Sequence, residues 1–193
     1  MTEKSFFDQE VEQALAVLQR GGVILYPTDT IWGLGCDARN ETAVKRIYEI
    51  KQRADSKSLI ILLADEREIL RYVAAPDPAV FDYIETQARP TTIIFEQAIG
   101  LPRTLIASDG SIAIRIVQDV FCRHLIKRLR SPLVSTSANI SGEASPLSFK
   151  NISASILASV DHVVSWRQDD TDPATPSRIV KWKSGGKTDI IRE

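Results

Sequence analysis

Short apolar runs alternate with amphipathic segments along this chain of 193 residues, and this alternation constrains the fold more than any other feature. The runs Val23–Tyr26 and Leu59–Leu63 have the length of buried strands, whereas Val11, Leu15 and Leu18 recur at helical spacing. Several connections between predicted strands are too short to contain a crossover helix, so the strands cannot all be parallel. The pattern predicts an α/β fold in which helices pack against a mixed sheet.

The boundaries of the predicted elements come from this periodicity and from residues that begin or end helices. Gly21-Gly22 ends the first helix, and Asn40 followed by Glu41 is typical of a helix start. Pro27 to Gly35 is expected to lack regular structure. The predicted helices are Asp8–Gln19, Asn40 to about Lys51–Arg53, Glu66–Val73, Pro78–Thr86, Val120–Arg130 and Phe149–Leu157. The predicted strands are Val23–Tyr26, Leu59–Leu63, Thr92–Phe95, Ile112–Ile116, Leu133–Thr136, Val163–Val164, Ile179–Val180 and Ile190–Ile191.

Composition indicates an ordinary globular protein. With 44% apolar and 25% charged residues, the chain is expected to form one domain over residues 1–193. A net charge of −1 gives no general attraction to nucleic acid or to a membrane, and no apolar run reaches the ~20 residues of a membrane helix. Cys36 and Cys122 stand far apart and there are two histidines, so we expect no protein-held metal and two reduced thiols in a cytoplasmic protein.

A polar segment directly follows the strand Val23–Tyr26. It reads Tyr26-Pro-Thr-Asp-Thr-Ile-Trp-Gly-Leu-Gly-Cys-Asp-Ala38. Strand ends are where α/β folds bind ligands, and hydroxyls with backbone amides can hold a small polar substrate. We therefore expect a ligand to bind at this segment.

Two basic residues, Lys51 and Arg53, lie at the predicted end of the second helix. Cations are favoured at a helix C-terminus by the helix dipole alone, and that interpretation accounts for most such pairs. The alternative is an anion site, because Arg grips phosphate or carboxylate with two hydrogen bonds and Lys supplies a point charge. The residues alone leave both interpretations open.

Four hydroxyls, one amide and a glycine follow another apolar run, in Ser135-Thr-Ser-Ala-Asn-Ile-Ser-Gly142. Such residues are common in turns and helix caps, but small donors at a strand end also suit a nucleotide or phosphate. The chain has no Walker motif, no G-x-G-x-x-G and no G-x-S-x-G. Arg115 lies inside the apolar strand Ile112–Ile116, where it either faces outward or is buried beside a partner.

These motifs, in this order and spacing, resemble the YrdC-like family of threonylcarbamoyl-AMP synthases. The resemblance rests on Tyr26 to Ala38, Lys51-x-Arg53, the arginine-bearing strand Ile112–Ile116 and Ser135 to Gly142, and it extends to the closing segment Pro176 to Arg192. It implies a twisted, open α/β sheet with a basic concavity. It also implies an enzyme that makes L-threonylcarbamoyladenylate and pyrophosphate from L-threonine, bicarbonate and ATP, with Mg²⁺ bound mostly through the triphosphate.

The resemblance further implies roles for particular residues. Thr30, Arg115 and Ser137 would hold threonine. Lys51 and Arg53 would grip the ATP phosphates and the developing carbamate and so carry the catalysis. Asn139, Ser145, Ser177 and Arg192 would contact the nucleotide. A tRNA threonylcarbamoyl transferase complex would receive the product, and weak contact with tRNA itself is possible within the family's scheme.

The chain departs from the family pattern at several places. Ala54 and Ser58 stand where prolines are usual, Ala88-Arg-Pro-Thr91 replaces a Pro-Gly-Pro-like stretch, and Ser177-Arg178 replaces a Ser-Thr pair. The longer members carry a further C-terminal domain, so we expect any closure over the nucleotide to come from the short tail.

Three alternatives remain at this level. The first is a paralogue of the same fold with another ATP-dependent activity. The second is an RNA-binding module, although the net charge of −1 provides no surplus of basic residues. The third is a carbamoyl-transfer domain of hydrogenase maturation, which normally belongs to a much longer chain with zinc-binding cysteines.

Overall fold

The computed structural model describes residues 2–52, 59–183 and 185–193. The α-helices are α1 (Glu3–Gln19), α2 (Glu41–Ile50), α3 (Ala79–Glu85), α4 (Val120–Leu129) and α5 (Ala154–Ser159), and two 3₁₀ helices cover Glu66–Arg71 and Phe149–Asn151. The strands are β1 (Ile24–Tyr26), β2 (Gly33–Gly35), β3 (Ile60–Leu63), β4 (Thr91–Phe95), β5 (Ile112–Ile116), β6 (Leu133–Ser137), β7 (His162–Val163), β8 (Arg178–Lys183) and β9 (Lys187–Arg192).

The strands form a nine-stranded mixed sheet in the order β7-β1-β2-β6-β3-β5-β4-β8-β9. Three neighbouring pairs are parallel, namely β1 with β7, β3 with β5 and β4 with β8. The other pairs run antiparallel. The predicted mixed sheet with flanking helices is confirmed, and the sheet is open because β7 and β9 lie at its two ends.

Alternating side chains of the central strands enter two different cores. Ile61 and Ile114 face the cluster that also contains Val44 and Ile47 of α2. Leu62, on the opposite face, packs with α1 and α4. Arg115 pairs with Leu62 in the β3–β5 register, so its side chain shares the second face. A third cluster beneath α5 includes Trp32 and Ile156.

The polar segment Tyr26 to Ala38, named the substrate segment below, contains a strand that was not predicted. Gly33-Leu-Gly35 was expected to be irregular, yet it forms β2 between β1 and β6. A Cβ atom on Gly35 would lie 2.6 Å from Cε1 of Tyr26 and 2.7 Å from the carbonyl oxygen of Val134. The glycine therefore lets a tyrosine ring and a neighbouring strand approach closely, which is a recognised use of glycine inside sheets.

Other predicted boundaries were wrong in instructive ways. The first helix begins at Glu3, because Thr2 accepts a hydrogen bond from the Ser5 amide and caps it. Phe149 to Leu157 is two elements, since the 3₁₀ helix ends at Asn151 and Ser153 caps the start of α5. Glu66 to Val73 is a 3₁₀ helix over Glu66–Arg71 only. The Asn40 cap is confirmed, with its Oδ1 3.0 Å from the Ala43 amide.

Cys36 and Cys122 are both buried and unpaired, as predicted. Burial is also the main cause that raises the pKa of each thiol, so both remain protonated near neutral pH. Across the described ranges, no helix is both long enough and apolar enough to cross a membrane.

Candidate active site

A cleft lies where the substrate segment, β5, β6 and the hairpin of β8 and β9, the C-terminal hairpin, meet. Six of the residues predicted to bind substrate line it: Thr30, Arg115, Ser137, Ser145, Ser177 and Arg192. They come from five separate parts of the chain and converge because β2, β6, β3, β5, β4, β8 and β9 are neighbours in that order. The fold thus gathers most of the predicted site into one cavity.

Arg115 is the most constrained charge in this cleft. Its side chain is only 3% exposed, and its Nη2 lies 3.0 Å from Oδ1 of Asp29. Nη1 donates to the Thr30 hydroxyl at 3.0 Å. Its Nε is buried and has no hydrogen-bond partner among the described residues. Of the two interpretations of Arg115, burial beside a partner is therefore the correct one, and that partner was not foreseen.

Asp29 is itself fixed from the other side. Its Oδ2 accepts a hydrogen bond from the Gln118 amide at 2.9 Å, just beyond the end of β5. The carboxylate therefore bridges Arg115 and the backbone that follows the same strand. A charge held on both sides in this way has little freedom to turn toward solvent.

The hydroxyl of Thr30 belongs to a short chain of hydrogen bonds. Thr28 Oγ1 donates to the Ile31 carbonyl at 2.8 Å and accepts from the Thr30 amide at 3.0 Å. Since the Thr28 proton is used, the 3.0 Å contact between the two hydroxyls makes Thr30 the donor. The Thr30 hydroxyl therefore accepts a hydrogen bond from Arg115 and donates one to Thr28. These two bonds fix its orientation at the edge of the cleft.

Lys51 and Asn139 lie beneath the cleft wall, outside the lining residues. Lys51 is 1% exposed, and its Nζ donates to the carbonyls of Ser137 and Asn139 at 2.6 and 2.7 Å. The Ser141 amide donates to the Lys51 carbonyl at 2.8 Å. Asn139 Nδ2 binds the Glu143 carbonyl at 2.7 Å, while its Oδ1 has no partner among the described residues. Lys51 therefore shapes the loop after β6; Arg53 lies outside the described residues.

The C-terminal hairpin supplies the second arginine. Arg192 remains exposed and donates from Nη2 and Nε to the Ser177 carbonyl at 2.7 and 3.1 Å. Ser177 is buried, and its hydroxyl lies 2.8 Å from that of Thr92. Partial desolvation, followed by the positive charge of Arg115, lowers the pKa of the Arg192 guanidinium. Arg115 is paired with Asp29, whereas Arg192 has no carboxylate partner among the described residues, so its side of the cleft favours an anionic ligand.

Several residues that hold this site together were not predicted. Asp29, Thr28 and Thr92 contact predicted site residues, and Gln118 holds Asp29 through its backbone amide. Asp29 could have been found, because a lone carboxylate between two threonines is a natural partner for an arginine in a nearby strand. Thr92 and Gln118 carry no comparable signal, since their roles depend on the strand register.

Comparison with known proteins decides the family. The family model described as telomere recombination, which carries the names Sua5, YciO and YrdC, matches residues 16–193. The chain belongs to this family. A threonylcarbamoyl-AMP synthase from Xanthomonas euvesicatoria pv. vesicatoria is 36% identical over 180 residues, which cover 91% of this chain and 95% of the relative.

Solved structures of the Sua5/YciO/YrdC family share the fold. Sua5 from P. abyssi, crystallised with L-threonine, superposes with a TM-score of 0.83 at 23% identity over 94% of this chain. The match spans 53% of that longer protein, about half its length. E. coli YciO has a TM-score of 0.81 at 23% identity, covering 95% of this chain and 88% of YciO. The likenesses place the twisted sheet in this family's architecture.

Proposed function

We propose that this protein makes L-threonylcarbamoyladenylate and pyrophosphate from L-threonine, bicarbonate and ATP. The observation that carries the proposal is the pair of arginines, Arg115 and Arg192, acting on one hydroxyl-lined cleft in a member of the Sua5/YciO/YrdC family. The name of the Xanthomonas relative and the threonine bound by P. abyssi Sua5 point to the same reaction.

Threonine binds at the Arg115 side of the cleft. The guanidinium receives the carboxylate of the amino acid, while Asp29 and Thr30 keep it in place. The hydroxyls of Thr30 and Ser137 line the same region. Because the Thr30 proton is donated to Thr28, Thr30 accepts a hydrogen bond from the amino acid, while Ser137 donates one. This arrangement supports carboxylate recognition by a preformed site, which reduces the ordering that binding requires.

ATP binds toward the C-terminal hairpin. Arg192 and the hydroxyls of Ser145 and Ser177 line this side of the cleft and contact the nucleotide. Asn139 and Lys51 support this side of the cleft from beneath its wall. Lys51 fixes the carbonyls of Ser137 and Asn139, at the end of β6 and just after it, and adds a positive charge for the phosphates. Arg53, which lies outside the described residues, completes the phosphate grip in this proposal.

The chemistry needs no nucleophile from the protein. Bicarbonate gives carbon dioxide and hydroxide; the threonine amine attacks the carbon dioxide and loses a proton to that hydroxide, which gives a carbamate and water. A carbamate oxygen then bonds to the α-phosphorus, and the bond to the bridging oxygen breaks with release of pyrophosphate. The protein contributes by orienting the reactants and by neutralising charge with Arg115, Arg192, Lys51 and Arg53.

The donor set suits a cation that arrives with the nucleotide. Among the described residues, no group of three or more His, Cys, Asp or Glu could hold a metal ion. Hydroxyls and guanidinium groups line the cleft, and Asp29 is already tied to Arg115. Mg²⁺ would therefore be bound chiefly by triphosphate oxygens, where it supplies charge neutralisation.

The next step, transfer of the threonylcarbamoyl group to tRNA, requires another protein. We propose that the adenylate passes to a tRNA threonylcarbamoyl transferase complex, which moves the threonylcarbamoyl group to an adenosine of tRNA. Two buried, unpaired thiols support a reducing compartment such as the cytoplasm. With a net charge of −1, direct contact with tRNA is expected to be weak.

Pyrophosphate release from ATP and bicarbonate tests the reaction. We expect release that requires L-threonine, is reduced with L-serine and accompanies an adenylate of the correct mass. Release that is indifferent to threonine would instead indicate a paralogue with another substrate. If the folded protein releases none, the proposal is wrong and a binding function becomes the better interpretation.

A further inference from the structure

Arg167 holds the substrate segment from behind, although no motif described above includes it. Its Nη1 donates to the Thr28 carbonyl at 3.2 Å and lies 2.9 Å from Oδ2 of Asp119. Its Nε lies 2.6 Å from Oδ2 of Asp170. Arg167 is not among the residues that line the cleft. It therefore acts on the site through the backbone of Thr28.

The backbone of Arg167 is in an unfavourable conformation. Its φ angle is 65°, in the left-handed region that residues with a Cβ atom rarely adopt. Such a conformation persists where surrounding contacts determine it, and it is found often near functional sites. Here the contacts are two carboxylates and one carbonyl, all reached by a single guanidinium.

The carbonyl of Pro27, which precedes Thr28, is also held from this side of the molecule. Oδ1 of Asp119 accepts from the Cys122 amide at 2.8 Å and so begins α4. The Cys122 thiol donates to the Pro27 carbonyl at 3.3 Å. Two consecutive carbonyls of the substrate segment, those of Pro27 and Thr28, are thus held by groups that Asp119 links.

We propose that Arg167 is a positioning residue for threonine, an inference that rests on the proposed function. Its hydrogen bond fixes the Thr28 backbone, and the Thr28 side chain orients the hydroxyl of Thr30. Thr30 in turn meets Arg115, which receives the threonine carboxylate. Arg167 therefore sets threonine affinity without touching threonine, and it leaves ATP binding alone.

Steady-state kinetics of Arg167→Met tests this role. We expect the KM for threonine to rise about tenfold, the scale of one charge-assisted hydrogen bond, while kcat and the KM for ATP stay within about twofold. Arg167→Lys keeps a cation beside Asp119 but loses the planar guanidinium. Its KM for threonine should therefore lie between those of the wild-type protein and Arg167→Met. A purely structural role would change kcat and both KM values together.

Arg46→Met is the matched control. Arg46 likewise pairs with one carboxylate, on Asp161, and donates to one carbonyl, that of Ser159 at 3.0 Å. Neither partner lines the cleft. If Arg167→Met and Arg46→Met give the same threonine KM, the inference is overturned. If the wild-type protein shows no threonine dependence, the proposed function has failed instead.

Hydrogen exchange gives a readout that does not depend on turnover. In folded Arg167→Met or Arg167→Lys, peptides covering residues 26–32 should exchange faster, whereas those covering residues 41–50 should not change. Unchanged protection of residues 26–32 in both variants would show that Arg167 does not hold the substrate segment.

Discussion

The two arginines of the cleft are held in opposite ways. Arg115 lies on a central strand, is 3% exposed and is paired with Asp29 at 3.0 Å. Arg192 lies on the edge strand β9, is exposed, and bonds to neutral oxygens of Ser177. No carboxylate within the described ranges forms an ion pair with Arg192, and partial desolvation, followed by the charge of Arg115, lowers the pKa of its guanidinium. One half of the cleft is already charge-compensated, and the other is not.

This contrast suggests that Arg115 contributes fixed geometry and Arg192 contributes uncompensated positive charge. A buried, paired arginine keeps its geometry before any ligand arrives, so it recognises the shape of a small carboxylate. An exposed arginine without a carboxylate partner attracts an anion strongly and can move with it. We infer that the threonine half is preformed and that the nucleotide half adjusts when the triphosphate binds.

The largest effect is expected from Arg115→Met. Loss of a charged, two-point contact with the threonine carboxylate should lower threonine-dependent turnover by about 100-fold at subsaturating threonine. The variant also leaves Asp29 without its cation, so its melting temperature should be measured and Arg115→Lys prepared as the milder change. Near-normal turnover in a folded variant would refute the role of Arg115.

A smaller and different effect is expected from Arg192→Met. Because Arg192 is exposed, we expect the KM for ATP to rise roughly tenfold while the KM for threonine changes little. Arg178→Met is the control, since Arg178 lies on the same hairpin but pairs with Glu193 at 3.2 Å and is absent from the cleft lining. A larger rise for threonine than for ATP would reverse the proposed assignment of the two halves.

Asp29→Asn separates preorganisation from direct contact. The amide can still accept from the Gln118 backbone but loses the charge that orients Arg115. We expect the threonine KM to increase about fivefold and the free energy of unfolding to fall by about 1–3 kcal/mol.

Asp161→Asn is the comparison for this change. Asp161 also accepts a backbone amide, that of Val23 at 2.7 Å, and pairs with an arginine, but the side chains of that pair are 39% and 34% exposed. Its substitution should cost less than about 1 kcal/mol and leave the threonine KM unchanged. Equal effects of the two substitutions on the threonine KM would argue against preorganisation by Asp29.

The smallest effect is expected from Ser177→Ala. The hydroxyl is buried against Thr92, whereas the carbonyl that binds Arg192 remains in the variant. We therefore expect an increase of about threefold in the KM for ATP and no change for threonine. A tenfold change would mean that the hydroxyl, and not the guanidinium, is the main nucleotide contact.

Some residues of the site stand out in the sequence and others do not. Arg115 and the segments that carry Thr30 and Ser137 stand out because they interrupt or follow apolar strands, whereas their roles toward threonine are implied by the family resemblance and stay predictions. The pairing of Asp29 with Arg115, 86 positions away, and that of Arg167 with Thr28, 139 positions away, were not predicted. Those pairings depend on strand order, which periodicity does not determine.

The same limit explains the misjudged segments of the fold. Gly33-Leu-Gly35 was interpreted as irregular because glycines usually end strands, while the space occupied by the Tyr26 ring is visible only in three dimensions. The contact of Lys51 with phosphates stays a prediction; what the sequence did not indicate is that its ammonium group binds the carbonyls of Ser137 and Asn139. The position of a lysine at the end of a helix does not indicate which distant carbonyls it will bind in the fold.

Calorimetric titration of L-threonine in the absence of ATP is the most direct test of the central claim, that the threonine half is preformed. We predict measurable binding to the wild-type protein without nucleotide, its loss in Arg115→Met and its retention in Arg192→Met. Binding that requires ATP, or that is lost in Arg192→Met and kept in Arg115→Met, would contradict the account.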